Sequence, residues 1–155
     1  MRFLAAAVFA LLYIATGSAP VNAQAKNFYV CVVDSAKLKE VRVTYDPERG
    51  DTLMNGVPFN KAYPYTSPPY AGHTDWYRSN SRVTMTNGAT YEKYGLPLVL
   101  DVIDLKPIGV VNGIPVFADP MYESGTPDRI YFPIRPGCEF QPYNLVSEGS
   151  SKGSS

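Results

Sequence analysis

The sequence predicts an all-β protein, a small single-domain barrel or sandwich built from short antiparallel strands. Short runs of β-branched and aromatic residues recur along the chain, turn signals separate them, and Asn-Gly pairs stand between strand-like flanks. Patterns with the helical period are scarce by comparison. We expect one β domain over residues 26–146, because a segment of that length builds one core but is short for two domains.

The N-terminus has the features of an export signal. Arg2 supplies a positive charge, residues 3–15 form an unbroken apolar run, and small residues precede a candidate cleavage site after Ala23. A bilayer span takes about 20 apolar residues and Pro20 ends the helix, so residues 1–23 are predicted to be a cleaved signal peptide. A retained membrane anchor is the alternative. The protein is therefore expected outside the cytoplasm, periplasmic or secreted, with membrane association left open.

The first two strands are predicted within residues 28–33 and 41–45. Residues 28–33 form a continuous β-branched and aromatic run, which is typical of a strand buried on both faces. In residues 41–45, two valines and a tyrosine alternate with polar residues, which indicates a strand with one solvent-exposed face. Residues 46–50 then predict a turn, since proline presets φ and glycine tolerates a positive φ.

Hairpin turns are predicted at three Asn-Gly pairs, because both residue types accept the left-handed backbone angles of a two-residue type I′ turn. In the third pair, Val110 and Val111 face Ile114 and Val116 across the turn, whereas Pro58 shortens the strand that follows the first pair. The three pairs are Asn55-Gly56, Asn87-Gly88 and Asn112-Gly113.

Strand signals continue toward the C-terminus. Residues 98–105 form an apolar run that Asp101 and Asp104 interrupt, and a further strand is expected there. The signals from residue 108 to 134 indicate a tight meander like that of SH3-like barrels, an architecture that implies no particular ligand. Residues 147–155 are rich in serine and glycine, and we expect a disordered tail.

The two cysteines lie near opposite ends of the predicted domain, Cys31 in the first strand and Cys138 before the last. In an exported chain, a lone pair favours a structural disulfide over free thiols or over a redox pair, which usually occurs as Cys-x-x-Cys. Closing so long a loop stabilises the fold by about 4–5 kcal/mol in the chain-entropy model. We predict that a Cys31–Cys138 bridge joins the first and last strands.

Charge and motifs exclude several function classes. The chain has 14 basic and 14 acidic residues without runs of one sign, so it lacks the basic stripe of a nucleic-acid binder and the polybasic patch of a lipid binder. A zinc site needs several His or Cys ligands, and once the cysteines are paired only His73 remains, so we expect no metal site. Calcium-loop and phosphate-loop motifs are missing, and no cofactor is expected.

Candidate catalytic groups are few. Ser67, His73 and Asp75 have the residue types of a catalytic triad, but they stand in a loop-like stretch without a nucleophile-elbow motif. Asp101 and Asp104 are a possible acid/base pair, yet a spacing of three puts them on opposite faces of a strand. The sequence therefore predicts a protein that is not an enzyme and has no catalytic residues.

The segment from Ala62 to Tyr77 is the most distinctive part of the sequence, because it interleaves aromatic rings with prolines. Prolines lower the entropy cost of ordering a loop, and tyrosine and tryptophan give large contact areas with few rotatable bonds. The segment is either a lid over one end of the domain or a contact surface, and the two roles are compatible. The predicted partner-binding residues are Tyr63, Tyr65, Tyr70, Trp76 and Tyr77.

Two classes of function fit these features. The first is a non-catalytic structural or binding module, an extrinsic subunit that contacts a protein partner at the outer face of a bacterial membrane complex. The alternative is a small secreted carbohydrate-binding protein or hydrolase that uses the same Tyr/Pro-rich loop, since aromatic rings also stack on sugars. The scarcity of catalytic groups favours the first.

Overall fold

The protein folds into two antiparallel β-sheets with only short helices, as seen in a computed structural model that describes residues 24–66, 68–79 and 81–146. The predicted all-β class is confirmed. The predicted signal peptide or anchor (1–23) and the predicted tail (147–155) lie outside the described residues. The first sheet contains four strands in chain order, which are β1 (Lys26–Asp34), β2 (Lys37–Asp46), β3 (Asp51–Met54) and β4 (Val57–Pro58).

The second sheet curls into a half-barrel. Its strands are β5 (Arg82–Thr84), β6 (Thr90–Lys93), β7 (Leu98–Val99), β8 (Lys106–Val111), β9 (Ile114–Ala118), β10 (Arg129–Arg135) and β11 (Glu139–Leu145). Their spatial order is β5-β6-β11-β10-β9-β8, and β7 pairs with β11. Strands β8 to β11 are neighbours in chain order, so the predicted C-terminal meander is confirmed.

Short helical segments connect the strands. Helix α1 (Phe59–Ala62) follows β4, helix α2 (Asp75–Ser79) precedes β5, and a 3₁₀ turn (Val102–Asp104) lies between β7 and β8. Within the described part of the chain, no helix has the length and apolar character needed to cross a bilayer.

The strand predicted over residues 98–105 is wrong beyond Val99. Asp101 and Asp104 form a reciprocal capping box around the 3₁₀ turn, in which the Asp101 N–H donates to Asp104 Oδ2 at 2.9 Å. Short aspartate side chains compete for nearby backbone groups and favour such turns over a strand. Both carboxylates therefore cap the local backbone.

Two of the three Asn-Gly turns adopt the predicted type I′ geometry. Asn55 and Gly56 have φ of 51° and 82°, and Asn112 and Gly113 have φ of 52° and 79°. Each pair separates strands whose flanking residues are directly opposite, as in Val111 with Ile114. These hairpins are confirmed in position and in type.

The turn at Asn87-Gly88 is a hairpin of another type. Met85 and Ala89 are bonded across it, with 2.8 Å between the Met85 nitrogen and the Ala89 oxygen, so its loop has an extra residue. Gly88 takes a φ of 84°, and its N–H donates to the Met85 carbonyl at 2.9 Å. This is the pattern of a type I turn followed by a glycine bulge. Asn87 instead accepts the Ala89 N–H with its side chain, at 3.1 Å.

A fourth hairpin joins β1 to β2 at Ser35 and Ala36, which have positive φ of 50° and 60°. Neither residue favours this region, which costs roughly 1–2 kcal/mol per residue relative to right-handed geometry. The unbroken register from Lys26 opposite Tyr45 to Asp34 opposite Lys37 offsets that cost. Long-range pairing imposes this turn, and it has no local sequence signal.

Strand β1 is less buried than predicted. Val32 and Val33 are buried, but Phe28 and Tyr29 are 37% and 66% exposed, and among the described residues β1 is an edge strand of its sheet. In β2, Val41 and Val43 are buried and alternate with more exposed residues, as predicted, but Tyr45, which was expected on the same face, is 41% exposed.

The buried apolar residues form three clusters. The largest lies inside the half-barrel, where the ring of Phe132 packs edge-on against Tyr143 with centroids 5.1 Å apart. A second cluster pairs the rings of Phe117 and Phe140 near the cysteines, and a third lies on the α1 side of the first sheet. Cys31 and Leu38 of the first sheet pack against the second cluster, so that cluster forms part of the junction between the sheets.

The predicted disulfide is confirmed and connects the two sheets. Cys31 in β1 is bonded to Cys138, with 5.2 Å between their Cα atoms. Cys138 lies in the turn that leads into β11 rather than in the strand itself, and the Gly137 N–H donates to the Cys31 carbonyl at 2.7 Å. A disulfide of this kind indicates folding in an oxidising, extracytoplasmic compartment.

Candidate functional site

The Tyr/Pro-rich segment runs along the junction of the two sheets. The Ala71 N–H donates to the Pro133 carbonyl at 2.8 Å and the Gly72 N–H donates to the Ile134 carbonyl at 3.1 Å. A Cβ atom on Gly72 would overlap the Ile134 carbonyl oxygen, so this close approach requires glycine. The segment therefore continues the pairing of β10 and carries its rings to the edge of the half-barrel.

Tyr70 is an interior residue. Its side chain is 1% exposed, and its hydroxyl accepts the Val33 N–H at 3.0 Å. Burial raises the pKa of the Tyr70 phenol. Tyr70 therefore acts as the lid interpretation predicts, because it connects the segment to β1. Its burial leaves it without a surface for a partner, so it is not among the residues proposed to contact one.

Trp76 and Tyr77 occupy α2 and are partly buried against the half-barrel. The Trp76 ring packs edge-on against Phe132 with centroids 5.3 Å apart, so this residue mainly extends the core. The Tyr77 hydroxyl donates to Gln141 Oε1 at 3.2 Å, and the Lys93 ammonium lies 3.9 Å from the Tyr77 ring centroid. These contacts fix the Tyr77 ring in one position.

The electrostatics around Tyr77 follow from its partial burial. Burial raises the pKa of the Tyr77 phenol, the Glu139 carboxylate raises it further, and the Arg135 guanidinium opposes that rise. Burial also lowers the pKa of Lys93, whose ammonium donates to the Tyr77 carbonyl oxygen at 2.6 Å. The ring is therefore a neutral, rigid surface at physiological pH.

Three of the five predicted residues, Tyr63, Tyr65 and Tyr77, line one groove of about 470 Å³. We call it the aromatic groove. Tyr63 ends α1 and stacks at a tilt on Phe59, with centroids 5.6 Å apart, whereas Tyr65 is 56% exposed. The complete lining is Phe59, Asn60, Tyr63, Tyr65, Gly72, Tyr77, Pro97, Ile134, Arg135 and Pro136.

A second wall of the aromatic groove comes from distant parts of the chain and was not predicted. It includes Pro97 and the end of β10, where Arg135 is paired with Glu139 through a 2.6 Å contact from Nε to Oε2 and a 3.0 Å contact from Nη2 to Oε1. A paired guanidinium of this kind is held in place by its two-point contact. The prolines of this wall add further apolar surface.

A second, larger depression of about 810 Å³ lies beside the loop between β9 and β10. Polar and charged residues such as Asp119, Asp128 and Arg129 contribute much of its lining. A site that buries a ligand needs apolar walls with a few polar groups, and the aromatic groove fits that description better.

The candidate catalytic residues His73 and Asp75 are not hydrogen-bonded to each other in the described part of the chain. His73 Nδ1 is buried without a hydrogen-bond partner in the described part of the chain, so Asp75 does not orient it, and Ser67 lies outside the described residues. No cluster of three or more His, Cys, Asp or Glu residues able to hold a metal is found among residues 24–66, 68–79 and 81–146. The lining of the aromatic groove consists of aromatic rings, prolines, an amide, a guanidinium, a glycine and an isoleucine.

Comparisons of the chain with protein-family models, with curated proteins and with solved structures give no match. Function is therefore inferred from the aromatic groove and its surroundings.

Proposed function

We propose that this protein is a non-catalytic, exported binding module that docks a protein partner in the aromatic groove. The observation that carries the proposal is the convergence of Tyr63, Tyr65 and Tyr77 from the Tyr/Pro-rich segment on one groove, which Pro97 and Pro136 also line. Aromatic anchors in a preformed groove are typical of binding hot spots.

The groove is suited to an extended segment of the partner. Tyr77 and Arg135 are held by neighbouring side chains, so little entropy is lost when they contact a ligand. Grooves lined with aromatic rings dock proline-containing extended peptides, whose backbone is already ordered before binding. Tyr65 is the most exposed ring of the groove and is the proposed anchor of the contact.

We further propose that the module works as an extrinsic subunit on the outer face of a bacterial membrane complex, in the periplasm or after secretion. The disulfide between Cys31 and Cys138 supports an oxidising compartment. The balanced charge suits a protein that associates by shape and apolar contact rather than by attraction to anionic lipid.

Sugar binding is the second candidate function. The exposed Tyr65 ring shares the aromatic groove with the Asn60 amide and the Arg135 guanidinium, a ring with polar groups that suits a sugar face and its hydroxyls. A hydrolase would also require an acid/base pair or a nucleophile in the groove, and its described lining has neither.

The test compares Tyr65→Ala with Tyr94→Ala. Tyr94 is 53% exposed and lies outside the aromatic groove, so it is a matched control. The exported wild-type protein is used to capture and identify its partner from native membrane and soluble fractions, and affinities for that partner are then measured by titration. We expect Tyr65→Ala to weaken binding by roughly thirtyfold without lowering the melting temperature, and Tyr94→Ala to change neither.

Equal binding by wild-type protein and Tyr65→Ala would contradict the proposal, as would an equal loss in Tyr94→Ala. Titration with a panel of oligosaccharides separates the second candidate, since sugar binding that Tyr65→Ala abolishes, without a protein partner, favours a carbohydrate-binding protein. A turnover that His73→Ala abolishes would replace both with an enzyme.

A further inference from the structure

Along the outer edge of β1, backbone groups have hydrogen-bond partners over only half of the strand's length. The Cys31 carbonyl accepts the Gly137 N–H at 2.7 Å, and the Val33 N–H donates to the Tyr70 hydroxyl at 3.0 Å. In an antiparallel pair, alternate residues direct their backbone groups toward the partner strand and away from it. The odd-numbered residues of β1 therefore direct their N–H and C=O groups away from β2.

The same alternation leaves Asn27 and Tyr29 with outward backbone groups. Their amides and carbonyls have no hydrogen-bond partner among the described residues, since β2 occupies the other edge of β1. Proteins protect such edges with prolines, bulges or charges. Here the pairing of β1 with β2 has no register shift, and within β1 Lys26 is the one charged residue before Asp34.

Exposed apolar side chains lie beside this open edge. Tyr29 lines a shallow cleft together with Val99, and Val99 is 76% exposed. Phe28 is partly exposed on the opposite face of β1. Clustered exposed apolar residues beside unpaired backbone groups mark a protein-protein contact.

We propose that residues 27–29 pair antiparallel with the same residues of a second copy of this chain. The four-stranded sheets of the two copies then form one continuous sheet across a two-fold axis. Such an interface requires a surface that complements itself. The edge meets this requirement, because Asn27 and Tyr29 each present one donor and one acceptor.

The alternation also defines the register. Outward-directed residues pair with each other, so Asn27 lies opposite Tyr29 of the second copy and Phe28 meets Phe28 of the second copy at the axis. In this register Lys26 lies opposite Val30 of the second copy, which keeps like charges apart. Phe28 is already opposite Val43 of β2, so the two phenylalanines join the apolar residues of both copies into one row across the sheet.

The pairing has a natural end and little charge repulsion. It stops at Cys31, whose carbonyl Gly137 already occupies. The chain has a formal net charge of zero at pH 7, and proteins without net charge associate more readily than strongly charged ones.

The test measures the oligomeric state of the exported, disulfide-bonded full chain by sedimentation over a range of concentrations. Tyr29→Pro removes an outward N–H and leaves the bonds between β1 and β2 intact. We expect it to raise the dissociation constant of the dimer by about thirtyfold, since the two-fold axis removes two bonds. Tyr29→Lys is the second variant, in case the proline variant does not fold, and it should also give monomers. Tyr45→Lys is the matched control, because Tyr45 is 41% exposed but lies on an inner strand.

Amide hydrogen exchange provides the second measurement. We expect protection of the Asn27 and Tyr29 amides to rise with protein concentration, while the Phe28 amide, directed at β2, is protected throughout. A protein that stays monomeric up to about 1 mM overturns the proposal. A dimer that both Tyr29 variants retain overturns it as well. Protected Asn27 and Tyr29 amides in a monomer also overturn it, because the edge is then covered by this chain's own N-terminal residues or by an unrelated peptide.

Discussion

Replacing Tyr70 with phenylalanine tests whether the Tyr/Pro-rich segment holds the two sheets together. The substitution removes one oxygen atom and keeps the buried ring, so the packing around it is preserved. It leaves the Val33 N–H without the acceptor that it has at 3.0 Å, on a residue that is 4% exposed. The space that the removed oxygen atom leaves is too small for a water molecule unless neighbouring atoms move.

The expected cost is that of a buried unsatisfied donor, about 1–3 kcal/mol of unfolding free energy. For a domain of this size, that loss corresponds to a fall in melting temperature of about 4–10 °C. The slope of unfolding free energy against urea concentration should stay unchanged, because the folded state exposes no additional surface.

Urea denaturation of the oxidised protein measures this effect, and hydrogen exchange of the Val33 amide locates it. Tyr65→Phe is the control, because Tyr65 is 56% exposed and the loss of its hydroxyl should change stability by less than about 0.5 kcal/mol. If Tyr70→Phe is as stable as wild type and its Val33 amide exchanges no faster, Tyr70 does not connect the segment to β1 and the lid assignment fails.

Two further predictions concern the bridge and the buried tyrosines. Cys31→Ser combined with Cys138→Ser should lower the unfolding free energy by about 4–5 kcal/mol in the chain-entropy model; free thiols titrated in the unreduced, denatured wild-type protein would show that no bridge forms. Burial raises the pKa of the Tyr70 and Tyr143 phenols above their unfolded value of about 10, so the unfolded chain releases protons that the folded chain retains. Stability should therefore be complete below about pH 10 and fall at higher pH by up to about 1.4 kcal/mol per pH unit for each tyrosine. Urea midpoints that stay level between pH 8 and pH 11 would contradict this.

The features that the sequence predicts well are those set by a few adjacent residues or by covalent chemistry. Asn55-Gly56 and Asn112-Gly113 predict their own turns, because the required backbone angles suit these residue types wherever they occur. The cysteine pair is predictable because a chain with two cysteines has one possible intramolecular bridge.

The features that it does not predict depend on distant parts of the chain. Ser35 and Ala36 take positive φ only because β1 and β2 pair along their full length. The burial of Tyr70 depends on its contact with Val33, and no sequence periodicity links two residues so far apart along the chain. The aromatic groove is only partly predictable for the same reason. Its tyrosines come from one unusual segment of the sequence, whereas Pro97 and Arg135 are brought beside them only when the chain folds.

The position of the bridge has a consequence for proteolysis. A protease that cuts the chain anywhere between Cys31 and Cys138 produces two pieces, and each piece keeps one of the bonded sulfur atoms. The exposed loop between β9 and β10 is an accessible place for such a cut. Tyr65 and Tyr77 would then belong to one piece and Arg135 to the other, yet the bridge would keep the pieces in register. A nicked molecule can therefore retain both walls of its aromatic groove, and it would separate into fragments only after reduction.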